Sequence, residues 1–75
     1  MKVFIVSWTE YEKGWGSRPD GTSYHISEEK RDEYIKVREK DAANDKFHDI
    51  YPDGFSTVED SDLYKKVLAA GGSLG

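Results

Sequence analysis

Between Trp8 and His25, two Trp, two Tyr, one Arg, one His and three carboxylates crowd into eighteen residues around three glycines. These residue types could make a binding loop. Trp15 offers a flat stacking face, Arg18 a planar fork for phosphate or carboxylate, and Tyr24 and His25 hydrogen bonds from an adjoining strand. Long loops in small domains are usually functional or disordered, which adds weight to the segment. The set suits a nucleotide or another aromatic anion. A purely structural account uses the same residues: Trp8 and Trp15 complete a small core, Arg18 pairs with a nearby carboxylate, and Tyr24 and His25 are ordinary strand residues. His25 could also act as a general base oriented by Asp20 or Glu10. No nucleophile stands at a known spacing, however, and structural His–carboxylate contacts outnumber catalytic ones, so the chain reads as a non-enzyme.

A second candidate is the acidic series Asp41, Asp45, Asp49, Asp53, Glu59, Asp60 and Asp62, interleaved with Phe47, Tyr51 and Phe55. Carboxylates beside exposed aromatics suit a basic partner. Alternatively they are the residues that cap helices, make turns and solvate a face. His25 and His48 are the only histidines and there is no cysteine, so neither a metal site nor a cofactor is expected. Residues 1–40 carry eight basic and eight acidic side chains and residues 41–75 three and seven, which places the net charge of −4 in the second half. That balance argues against direct nucleic-acid binding, which needs Lys and Arg to neutralise phosphates.

Residues 3–8 read as a buried strand and residues 10–22 as a loop punctuated by Gly14, Gly16, Pro19 and Gly21, with Arg18-Pro19-Asp20-Gly21 as a tight turn. A returning strand is expected over residues 23–26. Ser27, followed by Glu28 and Glu29, predicts a helix N-terminus. That helix has a thin apolar stripe and ends at Asn44 and Asp45. Tyr51-Pro52-Asp53-Gly54 predicts a second turn, residues 55–58 a third strand, and Asp60 or Ser61 the cap of a last helix stopped by Gly71. The predicted fold is α+β, a small antiparallel sheet with two helices in the order β-β-α-β-α, its N-terminal strand central. One domain over residues 1–71 is expected, with residues 72–75 frayed. The apolar start is too short for a membrane span or a signal segment, and a small chain without cysteine is expected to be cytoplasmic.

The segment Gly14-Trp15-Gly16-Ser17-Arg18-Pro19-Asp20-Gly21-Thr22-Ser23-Tyr24-His25, with the acid-started helix after it, resembles a group of small bacteriophage-encoded accessory proteins of unknown role. Tyr51-Pro52-Asp53-Gly54 and Asp62-Leu63-Tyr64 resemble the later part of that pattern. The resemblance implies action by occupancy in a bacterial cytoplasm. The expectation is therefore a non-enzymatic inhibitor of a host protein, with Trp15, Arg18, Asp20, Tyr24, His25 and Tyr51 at the contact. A nucleotide-sequestering sponge is the alternative. Self-association as a homodimer is consistent with so thin a helix face.

Overall fold

The computed structural model describes residues 1–43 and 48–75. β1 (Lys2–Glu12) and β2 (Gly16–His25) form a long hairpin, α1 (Glu28–Ala42) leads across to β3 (His48–Glu59), and α2 (Ser61–Ala69) leads to a short β4 (Ser73–Leu74). The four strands form one antiparallel sheet in the order β3-β1-β2-β4. The fold is α+β with the predicted β-β-α-β-α order, β1 lies inside the sheet, and a terminal strand is added. Both caps are as the residue types require. Ser27 Oγ accepts from the Lys30 amide at 3.1 Å, and Asp60 Oδ1 accepts from the Leu63 amide at 3.0 Å. The predicted helix end at Asn44 and Asp45 lies outside the described residues, as does Phe47.

Two expectations are corrected. Residues 10–22 are not a loop, because the hairpin closes at residues 13–15, where the Trp15 amide donates to the Glu12 carbonyl at 3.0 Å and Gly14 turns the chain at φ 88°. Neither Pro-Asp-Gly segment is a tight turn. Trp8 faces Gly21 and Thr9 faces Pro19, so Asp20 is an extra residue bulged out of β2. Across the other edge of β1, Ser7 faces Gly54 and Trp8 faces Pro52, so Asp53 is bulged out of β3. The two motifs thus flank one residue, Trp8, and kink the two strands on either side of it.

The two bulges differ in what they ask of glycine. Gly21 sits at φ 108°, where a side chain is strained, whereas Gly54 has no positive φ and a Cβ there would meet Ser7 Cβ at an ordinary 3.6 Å. Gly21→Ala is expected to cost about 1–3 kcal/mol, and Gly54→Ala to be neutral or stabilising by up to about 1 kcal/mol. Urea midpoints of the two variants check the contrast.

Val3 and Val6 are both fully buried, yet they stand three residues apart in a β1 stretch without register shift and so point to opposite faces. Both faces of that end of the sheet are therefore covered. α1 lies over the face of Phe4, Val6 and Trp8, and α2 is the remaining helix packed on β1 and β2. The α1 cover is unusual in chemistry. Arg31, Tyr34, Ile35 and Arg38 occupy the inward positions, all half-buried, and none of the helix is fully buried. Arg31 lies 5.8 Å from the Phe4 ring and 5.5 Å from the Phe55 ring, and Arg38 lies 4.7 Å from the Trp8 ring. Guanidinium stems and cation–π contacts take the place of an aliphatic stripe.

Within the segment 72–75, Ser73 and Leu74 form β4. Ser73 pairs with His25 and Leu74 with Tyr24, and the Ile26 amide donates to the Gly72 carbonyl at 3.1 Å. The physical reason lies in the core, where Ser73 completes a buried polar chain.

Candidate functional site

That chain links four elements. The Trp8 Nε1–H donates to Ser23 Oγ at 2.8 Å, Ser23 Oγ lies 2.8 Å from His25 Nε2, His25 Nδ1 lies 2.8 Å from Ser73 Oγ, and Ser73 donates to the Lys30 carbonyl at 3.4 Å. The direction of the protons follows from the two ends. The indole can only donate and the carbonyl can only accept, so Ser23 gives its proton to Nε2, and Nδ1–H gives to Ser73. A neutral imidazole with its proton on Nδ1 satisfies every group once. His25 is 0% exposed, and burial, then the charge of Arg31, pushes its pKa below the usual 6.5. Tyr34 packs its ring against His25 at 4.9 Å and against Trp8 at 6.0 Å.

His25 is therefore structural in this arrangement, with both ring nitrogens occupied and the ring buried. Neither carboxylate proposed to orient it does so. Asp20 accepts from Arg38 Nη2 at 2.6 Å, holding the guanidinium over Trp8. Arg18 donates to Glu10 at 3.3 Å. Tyr24 stands opposite Ile5, on the sheet face away from His25, and is half-buried.

Trp15 and Arg18 remain together and accessible. Trp15 is 84% exposed at the tip of the hairpin. It lines, with Glu12, Gly16, Ser17 and Arg18, a depression of about 220 Å³. The Arg18 side chain is exposed, and its hydrogen bond to Glu10 raises its already high pKa. It is a fixed cation in an ion pair. The two tryptophans have thus parted company: Trp8 is in the core at 1% exposure, while Trp15 packs in no core. Tyr51 lies on the opposite sheet face, opposite Thr9 and diagonal to Tyr11, each tyrosine 41% exposed.

Sequence reading missed Ser23, Ser73, Arg31, Tyr34 and Arg38. One signal was present. Ser23 and His25 are two apart in a strand and so share a face with the partners of Val6 and Phe4. No family model, no curated protein and no solved structure matches this chain. Among the described residues no group of three or more His, Asp or Glu is placed to hold a metal ion, and no helix is long and apolar enough to cross a membrane.

Proposed function

We propose that this chain is a non-enzymatic protein-binding module that presents the Trp15 end of its β1–β2 hairpin to a partner protein and acts by occupying the partner's surface. The observation that carries the reading is the 84% exposure of Trp15 on a hairpin held in register down to its closing pair, Glu12 and Gly16. An indole is a costly group to leave in water, and tryptophan is the residue most enriched among interface anchors. A paired hairpin also presents it with little ordering entropy left to lose. The resemblance of residues 14–25 to phage accessory proteins makes a bacterial host protein the partner to expect, met in the host cytoplasm and inhibited by the contact.

The sponge reading draws on the same depression, but its physics is less favourable. A volume of about 220 Å³ is smaller than the roughly 300–1,000 Å³ typical of small-ligand pockets. A phosphate brought to Arg18 would have to displace Glu10 and sit beside Glu12, which lines the same space.

The test is capture from bacterial lysate on immobilised wild-type protein and on Trp15→Ala. Wild type is expected to retain a host protein in stoichiometric amount. Trp15→Ala is expected to bind that protein at least about thirtyfold more weakly, as for an anchor worth 2 kcal/mol or more, with an unchanged thermal midpoint. Equal retention by both proteins would remove Trp15 from the contact and the reading with it.

A further inference from the structure

Beyond Ser7 the face of the sheet opposite α1 is largely bare among the described residues. By register it consists of Ser7, Thr9 and Tyr11 on β1, Ser17, Pro19 and Thr22 on β2, and Asp49, Tyr51 and Gly54 on β3. The bulged Asp53 joins them, since its Oδ2 accepts from Thr9 Oγ1 at 3.1 Å. Near the other end the same face carries Val3, Ile5, Tyr24 and Val58, all buried or half-buried. Covering therefore stops partway, and what is left exposed is not a uniform polar surface.

Its chemistry is one-sided. The strand residues with basic side chains, Lys2 and Arg18, fall on the α1 side by register, so the bare face holds Asp49 and Asp53 and no Lys or Arg from any strand. Among the described residues no cation pairs with either carboxylate. Tyr11 stands directly opposite Asp49, and Tyr51 lies diagonal to Tyr11, so an alternation of carboxylate and tyrosine runs along β3. The strip borders the last strand of the sheet, whose outer edge has no strand against it among the described residues. Pro52, which has no N–H, and the Asp53 bulge interrupt main-chain pairing along that edge, so side chains are what the strip offers to an extended chain. The tyrosine faces and carboxylates select a cationic one, because guanidinium stacks on aromatic rings and pairs with carboxylate.

We propose that this strip, Asp49, Tyr51 and Asp53 of β3 with Tyr11 of β1, is a second binding surface, and that its occupant is an extended protein segment bearing Arg or Lys at alternate positions. The segment lies along β3 on this face, and its cations lie over the tyrosines and against the two carboxylates. The surface is independent of the Trp15 tip and does not rest on the reading given for it.

The probe is a blocked peptide of alternating Arg and Thr, titrated into isotopically labelled full-length protein and followed by amide chemical shifts. Shifts are expected at Tyr11, Asp49, Tyr51, Asp53 and their β3 neighbours. Affinity should fall about tenfold or more in Asp49→Asn/Asp53→Asn and again when salt is raised beyond physiological strength, where exposed charges are screened over about 8 Å. Trp15→Ala should bind the peptide like wild type, and a Glu–Thr peptide should leave the spectrum unchanged. Unperturbed spectra, shifts spread evenly over every carboxylate of the chain, or full affinity in the double Asn variant would each overturn the proposal. So would β3 shifts that grow with protein concentration alone, which would make a second copy the occupant, or the same shifts produced by an oligonucleotide.

Discussion

Trp8→Ala is expected to lower the thermal midpoint by more than about 12 °C, the largest effect of any single substitution in this chain. Removing a buried Trp costs about 3–5 kcal/mol, and each kcal/mol moves Tm by about 4–8 °C in a domain of this size. Trp8 is 1% exposed and sits where four constraints meet: both bulges bracket it, Arg38 covers its ring, Tyr34 meets it edge-on, and its N–H starts the buried polar chain. A chain of 75 residues has roughly 4–11 kcal/mol of stability in all, so the alanine variant loses a large fraction of it. Trp8→Phe separates the two contributions. It keeps much of the ring packing but leaves Ser23 without its donor, at an expected cost of about 1–3 kcal/mol. Thermal unfolding followed by circular dichroism checks both, and an alanine variant melting within a few degrees of wild type would show that Trp8 is not the keystone of the core.

The second large effect is on pH. Burial, aided by Arg31, holds the folded-state pKa of His25 below the ordinary 6.5, so between pH 6.5 and that lower value the unfolded chain binds a proton that the folded chain does not. Stability from this residue is therefore fully present above pH 6.5 and falls as pH drops below it, by at most about 1.4 kcal/mol per pH unit. Protonation also breaks the directional chain. An imidazolium has two donors, and Ser23, which already accepts from Trp8, loses the acceptor of its own proton. The charged group that bears on the ring is Arg31 of α1, a cation that disfavours the imidazolium. In His25→Gln the decline between pH 6.5 and 5 should flatten. Urea midpoints at stepped pH measure it, and a decline of equal slope in both proteins would assign the effect to another group.

The elements were legible where local chemistry is self-sufficient. Ser27 and Asp60 cap helices by the same hydrogen bond that makes them common at caps, and Val3 to Trp8 has no alternative to a buried strand. Pro19-Asp20-Gly21 and Pro52-Asp53-Gly54 misled because a bulge and a turn ask for the same residues. A proline can lie in a strand where a bulge interrupts the ladder, and an aspartate tolerates being the extra residue. Only the partner strand decides between them, and both motifs have the same partner, β1. The terminal Gly-rich segment was unreadable for a related reason: Ser73 orders it through His25, 48 residues away.

Of the candidate site, the exposed pair Trp15 and Arg18 was legible from residue type and Trp8 from the buried strand that it ends, but whether Trp15 would join it in the core was not. The answer depends on register. Trp8 falls on the face that α1 covers, whereas Trp15 lies beyond the last paired residue of the hairpin. Arg18 pairs with a carboxylate as the structural account expects, Glu10 lying opposite it across the strands. Tyr51 was singled out for its acidic surroundings, and the fold brings it near Tyr11, a residue with no mark of its own in the sequence. The arginines of α1 were hidden by the habit of reading charge as solvated surface. At positions 31 and 38 they face inward over aromatic rings.

The central functional claim is that the Trp15 end of the hairpin engages a protein and not a small molecule. Native mass spectrometry of the tagged protein, recovered gently from bacterial lysate, reports bound proteins, bound small molecules and copy number in one spectrum. The account predicts a complex with one host protein that is absent for Trp15→Ala and retained for Asp49→Asn/Asp53→Asn. A mass increase of a few hundred daltons that vanishes in Arg18→Ala, with no protein bound, would contradict it and put nucleotide sequestration in its place.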